Sequence, residues 1–228
     1  MLCYELRPIR CLHRHLCGGL SRPGIYDSLP RRFLAGDAAR LAQALLGRVL
    51  VHDAAGGRTA GLIVETEAYD ESDPASHSYG GMTERNRVMF APAGHLYVYR
   101  SYGVHWCCNV VAEREGVGAA VLVRALEPLE GVALMAARRG LTAADCDQRL
   151  LASGPGRVCQ AMGITGEHDG VFLSRGSLRL MSPASGYRRP DIVATPRIGI
   201  TKNAAAKWRF LIAGSRWVSR GLRQRPVR

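Results

Sequence analysis

The sequence predicts a mixed α/β fold in which short strands alternate with helices, and three kinds of pattern support this class. Apolar, β-branched runs such as the one from Gly61 to Val64 are typical of buried strands. Segments with apolar residues three and four positions apart, bounded by capping residues, are typical of amphipathic helices. Two apolar runs joined by a short turn at Gly103 predict a β-hairpin. The 228 residues suffice for one large domain or two small ones.

The predicted elements begin near Leu29. The first helix starts at the capping residue Asp37 and ends at Gly47. Further helices are predicted over residues 128–139, opened by a proline, and 157–162. Strands are predicted over residues 48–52, 59–66, 96–100, 104–111, 119–126, 171–173, 178–180, 197–200 and 208–212.

The strongest global signal is charge, with a formal net charge of +12 and a pI near 9.9. A basic protein of this size most often has a polyanionic partner, with nucleic acid ahead of a membrane surface. The alternative is an ordinary basic enzyme. No apolar run approaches the roughly 20 residues of a membrane span. The odd number of cysteines, seven, and the lack of a secretory signal predict reduced thiols and a cytoplasmic protein.

Both ends of the chain are basic. Residues 1–28 are Arg-rich and lack periodicity, which fits a flexible arm, a targeting segment or an upstream start codon. The run from Cys11 to Cys17 contains two cysteines and two histidines, but its spacing does not match zinc sites, and we expect no metal there. Residues 220–228 form a basic tail. It suits either a DNA-facing edge or a solvated end.

Candidate chemistry begins where carboxylates follow an apolar strand. Glu65, Glu67 and Tyr69 lie two residues apart, and buried carboxylates must be paired or used. Arg124 interrupts another apolar strand, so its guanidinium needs one of these carboxylates as a partner. Residue physics alone does not choose between Glu65 and Glu67.

Aromatic and polar residues suggest a site for a planar ring. Tyr97 and Tyr99 share one face of a strand. Tyr102 stands at the hairpin tip, where it either inserts between bases or lies back on its own hairpin. Asn109, within an apolar strand, is either a satisfied core amide or a reader of a ligand. A lone histidine such as His77 is more often a structural or surface residue than a functional one.

Several positions are candidates for contacts with phosphate. Arg85 and Arg87 lie in one short loop and could contact phosphate. The alternative is that this is an ordinary solvated loop. Ser153 and Gly154 precede the third helix, where a glycine-rich loop can seat a phosphate or simply turn the chain. Lys207 opens the acid-free C-terminal stretch.

Taken together, these motifs resemble the alkyladenine (3-methyladenine) DNA glycosylase family, in its bacterial form. The likeness runs in order from about Leu29 to Ser219. The motifs that carry it are E-T-E-A-Y at 65–69, His77, R-N-R at 85–87, L-Y-V-Y at 96–99, Tyr102, Asn109, R-A-L-E-P at 124–128, S-G-P at 153–155 and R-I-G-I at 197–200.

The resemblance implies a single compact α+β domain over residues 29–219. It would have a curved, mainly antiparallel sheet, peripheral helices and a protruding hairpin. It implies a monofunctional DNA glycosylase without metal or cofactor, acting as a monomer on double-stranded DNA that contains damaged purines. Such an enzyme flips the purine out of the duplex and hydrolyses its N-glycosidic bond. We therefore expect it to associate with the nucleoid.

The resemblance also implies a role for each matching residue. Glu67 is the general base that activates water, and Arg124 is its partner. The walls of the base pocket are Tyr69, His77 and Tyr99. Tyr102 is the wedge that fills the gap in the duplex, and Asn109 excludes guanine.

Two other classes of function remain as alternatives. A nucleic-acid binder without activity would keep the basic surface and lose the carboxylate or its arginine, and both are present. An enzyme acting on free nucleosides would need neither an aromatic hairpin tip nor so large a positive charge. Salt-dependent binding to duplex DNA distinguishes this second class.

Overall fold

Nine strands and three helices are seen in the computed structural model, which describes residues 26–142, 147–183 and 187–219. The strands are β1 Asp27–Ser28, β2 Val49–Ala54, β3 Gly57–Tyr69, β4 Leu96–Ser101, β5 His105–Val111, β6 Ala120–Glu130, β7 Leu178–Ser182, β8 Ile192–Thr195 and β9 Arg209–Ile212. The helices are α1 Ala38–Leu45, α2 Val132–Arg138 and α3 Pro155–Met162.

Strand β3 organises the sheet because its 13 residues pair along both edges. The main order is β1-β7-β2-β3-β6-β5-β4, and β9 joins β3 beyond the end of β2 while also pairing with β8. Every pairing between the named strands is antiparallel. The prediction of a single α+β domain with an antiparallel sheet and a protruding hairpin is confirmed.

Two compensating β-bulges lie side by side in the β3–β6 pair. Ile63 and Glu65 pair with the consecutive residues Leu126 and Ala125, so Val64 is an extra residue on β3. The next step, Glu65 to Thr66, spans two residues of β6, so Arg124 is the extra residue there. Each bulge inserts one residue and reverses the alternation of side chains beyond it.

The bulge on β3 decides which face carries the carboxylates. Before it, Ile63 packs in the large core beside the helices. Beyond it, Thr66 and Ala68 take that face: the hydroxyl of Thr66 donates to the carbonyl of Ala42 on α1, and Ala68 joins the large core. Glu65 and Glu67 therefore lie on the opposite face, away from the helices.

Helices α1 and α3 follow the predicted signals. The Asp37 side chain accepts a hydrogen bond from the Arg40 backbone N–H and caps α1. Gly163, with φ of 71°, ends α3 in the left-handed conformation. The predicted start of the second helix at Pro128 is wrong, because β6 continues to Glu130 and α2 begins only after Gly131. Pro128 is tolerated there because it adjoins a further register shift of the β3–β6 pair.

Two predicted strands are absent from the described residues. Residues 171–173 form only an isolated bridge between Phe172 and His95. Residues 197–200 form an irregular loop in which Gly199 has φ of 76°. The strand that pairs with β9 lies earlier, at Ile192–Thr195. The carboxylates likewise lie within β3, which extends three residues past its predicted end at Thr66.

The end segments lie largely outside the described residues. Asp27 and Ser28 pair with β7 as strand β1, whereas the predicted basic arm before them and the Cys11–Cys17 cluster are not among the described residues. Within the described part of the chain, no helix is long and apolar enough to cross a membrane. Nor do three or more metal-ligating side chains gather anywhere in that part.

Candidate active site

Arg124 joins the two carboxylates of β3 through separate nitrogens. Its Nε donates to Glu65 Oε1 at 3.1 Å, and its Nη1 donates to Glu67 Oε2 at 3.1 Å. Both carboxylates have 0% exposure. Arg124 can reach both because it is the extra residue of the bulge opposite them. Its carbonyl accepts the Gly154 N–H at 2.9 Å, which fixes the bulge to the loop before α3.

The two carboxylates differ in how completely they are used. Glu65 also accepts hydrogen bonds from Arg209 Nε at 2.6 Å and from both the hydroxyl and the N–H of Ser219. Glu67 accepts the Tyr69 hydroxyl at 2.9 Å and the Ile198 N–H at 2.8 Å. Apart from Arg124, the donors to Glu65 do not line a cavity. Apart from Arg124, both donors to Glu67 belong to the wall of a cavity.

Burial by itself lowers the pKa of Arg124, but Glu67 and Glu65 outweigh this effect and hold the pKa above its usual value. Its guanidinium is thus charged at every accessible pH. Two arginines, Arg124 and Arg209, balance the two glutamates in the buried cluster. Removing one partner from such a cluster typically costs about 3–5 kcal/mol, because the remaining charge is left without compensation.

A cavity of about 490 Å³ opens beside Arg124. Its size is within the range of sites for small planar ligands. Glu67 lies directly behind the wall, in contact with Tyr69, Arg124 and Ile198, which all line the cavity. The lining consists of Tyr69, Ala75, His77, Arg85, Met89, Tyr99, Arg100, Ser101, Tyr102, Cys107, Asn109, Leu122, Arg124, Pro155, Ile198, Gly199 and Ile200.

Aromatic rings form one side of this cavity. The rings of Tyr97 and Tyr99 stack with centroids 5.5 Å apart, and the His77 ring meets that of Tyr99 edge-on at 4.5 Å. His77 Nδ1 and the Tyr97 hydroxyl share a hydrogen bond of 3.0 Å. Burial raises the pKa of Tyr97 to about 12 and also raises that of Tyr99, so both phenols are neutral. Burial and the nearby Arg85 lower the pKa of His77.

The hairpin tip carries an aromatic ring with almost no packing. Tyr102 is 92% exposed and has φ of 50°, followed by Gly103 with φ of 70°. The Val104 N–H closes the turn on the Ser101 carbonyl at 3.0 Å. A bulky residue at positive φ is strained. Tyr102 does not lie back on its hairpin, so packing does not account for it.

Asn109 lines the cavity. Its Nδ2 donates to the Tyr97 carbonyl at 3.1 Å, and its side chain is buried. The neighbouring strand contributes Leu122, which pairs directly with Asn109. The amide therefore has a partner in the core and also borders the space where a ligand would sit.

The residues predicted to contact phosphate are dispersed. Arg85 lines the cavity, whereas Arg87 is exposed and pairs with Glu84 at 3.4 Å. Ser153 and Gly154 lie next to Arg124, whose carbonyl accepts the Gly154 N–H, and the Ser153 hydroxyl accepts from Arg157. Lys207 is exposed and does not line the cavity.

Several residues at the site were not predicted from the sequence. The loop 198–200 and Pro155 line the cavity, and Arg209 and Ser219 surround Glu65. The glycine in the R-I-G-I run is the sequence signal that was available, because an isolated glycine in a strand pattern suggests an irregularity. In the structure Gly199 has φ of 76° and the run is a loop. The pairing of Ser219 with a carboxylate 154 residues earlier leaves no local pattern.

Comparison with known proteins identifies the family. A sequence model described as methylpurine-DNA glycosylase matches residues 32–216. The chain belongs to the methylpurine-DNA glycosylase family. As a member, it is an enzyme of DNA repair that hydrolyses N-glycosyl bonds.

Individual relatives within the methylpurine-DNA glycosylase family match over nearly their whole length, and their names assign them provisionally as 3-methyladenine DNA glycosylases. A protein of Nitrosospira multiformis is 48% identical over 200 residues, covering 88% of this chain and 98% of that protein. One from Rhodopseudomonas palustris (strain HaA2) is 52% identical, covering 84% and 90%. One from Methanoculleus marisnigri is 53% identical, covering 85% and 99%.

The lowered pKa of His77 makes a prediction about stability in acid. The folded protein binds fewer protons at this ring than the unfolded chain, in which the pKa of histidine is about 6.5. The contribution of the neutral His77 ring to the free energy of unfolding is therefore fully present above that pH and is lost as the pH falls below it. His77→Gln should therefore lose less stability between pH 7.5 and 5.5 than the wild type, measured by urea unfolding. His52, whose pKa is also lowered by burial, is common to both proteins. Equal losses of stability in the variant and the wild type would contradict a lowered pKa of His77.

Proposed function

We propose that the enzyme flips an altered purine out of duplex DNA into the aromatic cavity and hydrolyses its N-glycosidic bond with water activated by Glu67. The observation that carries this proposal is the buried Glu67–Arg124 pair directly behind a cavity with aromatic walls. A planar base that stacks there brings its sugar carbon towards the carboxylate.

The energetics of flipping favour damaged bases. Taking a base out of the stack costs a few kcal/mol and is least costly where the pair is already weakened. Stacking of the base on Tyr69, His77 and Tyr99 returns part of this cost, at about 1–3 kcal/mol per stacked base. Since every purine has a stacking face, the cavity suits a class of lesions, including 3-methyladenine, hypoxanthine and ethenoadenine.

The hydrolytic step uses one water and one carboxylate. The oxygen of water attacks the anomeric carbon of the sugar while Glu67 accepts a proton from it. The bond to the purine nitrogen breaks, and its electron pair leaves with the base. A cationic methylated purine leaves as a neutral molecule. The negative charge of Glu67 also stabilises the positive charge that develops on the sugar.

Glu67 is preferred over Glu65 for this role. Three of its neighbours, Tyr69, Arg124 and Ile198, line the cavity, and its Oε1 accepts only the Ile198 N–H among the described residues. That oxygen retains a lone pair for water. Glu65 instead accepts from Arg124, Arg209 and the Ser219 hydroxyl on Oε1 and from the Ser219 N–H on Oε2, and of these donors only Arg124 lines the cavity. In this proposal Glu65 holds Arg124 in place.

Tyr102 is proposed as the wedge that occupies the gap left by the flipped nucleotide. Its exposure at a strained tip supports this role. Arg85 and the loop at Ser153 and Gly154 are proposed to contact the DNA backbone from two sides of the cavity, with Lys207 and Arg87 more distant. We propose that one monomer suffices, because the described residues of a single chain surround the cavity.

Glu67→Gln tests the catalytic assignment. The variant keeps the shape of the side chain but cannot accept a proton, so excision should fall by about 10²–10⁴. Binding to lesion-containing duplex should persist. Release of 3-methyladenine from DNA methylated with dimethyl sulfate, under enzyme excess, measures the rate. Near-normal release would refute the proposal. Glu65→Gln is not a suitable control, because Glu65 holds Arg124; Glu84→Gln, at an exposed carboxylate, is suitable.

Tyr102→Ser tests the wedge. Loss of the ring should lower single-turnover excision of a lesion in a well-paired duplex by about tenfold, consistent with one lost stacking contact. The effect should be smaller opposite a mismatch, because the flipped state is then more accessible. Val104→Ser at the same turn serves as the control, since Val104 is also exposed. Equal losses in both duplexes would argue against insertion.

Asn109→Ser tests how guanine is excluded. A cavity that binds by stacking rejects a normal base by crowding one of its groups, and the 2-amino group distinguishes guanine from adenine and hypoxanthine. Trimming Asn109 should raise the excision rate of 7-methylguanine relative to hypoxanthine. The ratio of the two single-turnover rates is the measurement. An unchanged ratio in a folded variant would leave Asn109 as a core amide only.

A further inference from the structure

A second buried ion pair lies beyond the cavity, and the proposed chemistry does not use it. Arg197 and Asp73 are hydrogen-bonded through Nη1 and Oδ2, and neither side chain has any exposed surface. Asp73 also accepts from Asn203 at 3.0 Å, and Arg197 Nη1 donates to the Ala68 carbonyl at 3.0 Å. Despite burial, the hydrogen bonds from Arg197 and Asn203 hold the pKa of Asp73 below its usual value.

This arginine is incompletely satisfied. Its Nε and Nη2 are buried and have no hydrogen-bond partner among the described residues. Its guanidinium carbon lies instead over two aromatic rings, 4.6 Å from the centroid of Tyr69 and 5.3 Å from that of Trp208. A cation over a ring face is attracted to it, but unmet buried N–H groups are costly. Stability alone is a poor reason for this arrangement.

Two residues next to Arg197, Tyr69 and Ile198, donate hydrogen bonds to the proposed catalytic carboxylate. Tyr69, whose ring it covers, donates its hydroxyl to Glu67 Oε2 at 2.9 Å. Ile198, the next residue in the chain, donates its N–H to Glu67 Oε1 at 2.8 Å. Each oxygen of Glu67 thus accepts from one neighbour of Arg197, and Oε2 accepts from Arg124 as well.

We infer that Arg197, tied to Asp73, is a positioning residue that sets the orientation of the Glu67 carboxylate through Tyr69 and Ile198. It contacts neither the carboxylate nor the cavity itself. The inference deepens the proposed function and rests on it. A carboxylate that rotates out of line with the water and the sugar loses rate without losing affinity for DNA.

The test separates rate from affinity. Arg197→Met removes the ion pair and the flat cation, and Arg197→Lys restores the charge towards Asp73 but not the planar group. The single-turnover release of 3-methyladenine from DNA methylated with dimethyl sulfate should fall by about 10²-fold in Arg197→Met. Arg197→Lys should lie between this variant and the wild type. The Kd for a duplex with a tetrahydrofuran abasic-site analogue, measured by fluorescence anisotropy, should change less than about threefold.

Arg138→Lys is the control, because the half-buried Arg138 also uses its guanidinium to bond neighbours, Thr59 and the Ala161 carbonyl, and lies away from both carboxylates. It should keep the wild-type rate. If Arg197→Met does not fold, Arg197→Lys carries the test through the same separation of rate from affinity. An unchanged rate in the variants, or a parallel loss of rate and affinity, would overturn the inference.

Failure of the inference is distinguishable from failure of the proposed function. Inactive Glu67→Gln together with normal Arg197 variants would refute only the positioning role. Near-normal Glu67→Gln would refute the catalytic assignment, and with it the premise of the inference, whatever the Arg197 variants do.

Discussion

The structure depends on pairing two carboxylates that lie inside the protein. Glu65 and Glu67 have no exposed surface, and Arg124 bonds to both. Ionised carboxylates in the interior are stable only when each is paired and hydrogen-bonded. Distant parts of the chain supply the partners: the bulge of β6, the first residue of β9, the loop before it and Ser219. The fold can therefore be understood as a means of delivering donors to β3.

Glu65 and Glu67 are the same residue type, and they differ only in the groups that surround them. Glu65 is surrounded by Arg124, Arg209 and Ser219, and it fixes the guanidinium in its plane. Glu67 shares its donors with the cavity wall, so the hydrogen bonds that hold its carboxylate also border the cavity. The aromatic walls and the charged cluster meet at Tyr69, which belongs to both.

Local patterns predicted a large part of this arrangement. The alternation through β4 and β5 and the cap at Asp37 are properties of consecutive residues, so the hairpin and α1 were found from the sequence. Helix α2 was placed too early, because Pro128 adjoins a register shift that depends on the partner strand. No local pattern marks Asp73 as a residue that is buried against Arg197, 124 residues away. Such pairings follow from the fold and leave no local pattern.

The paired bulges make the length of β3 a tighter constraint than its composition. Ile63 and Val64 can exchange with other apolar residues of similar size, since each only fills a core. Losing one of these two residues would instead leave the bulge at Arg124 without its compensating bulge and shift the pairing of β3 with β6 by one residue on one side of it. Across related enzymes, insertions and deletions should therefore avoid residues 62–69 while the flanking turns vary in length. A gap in this stretch would mark a relative in which the carboxylates of β3 and Arg124 are no longer aligned.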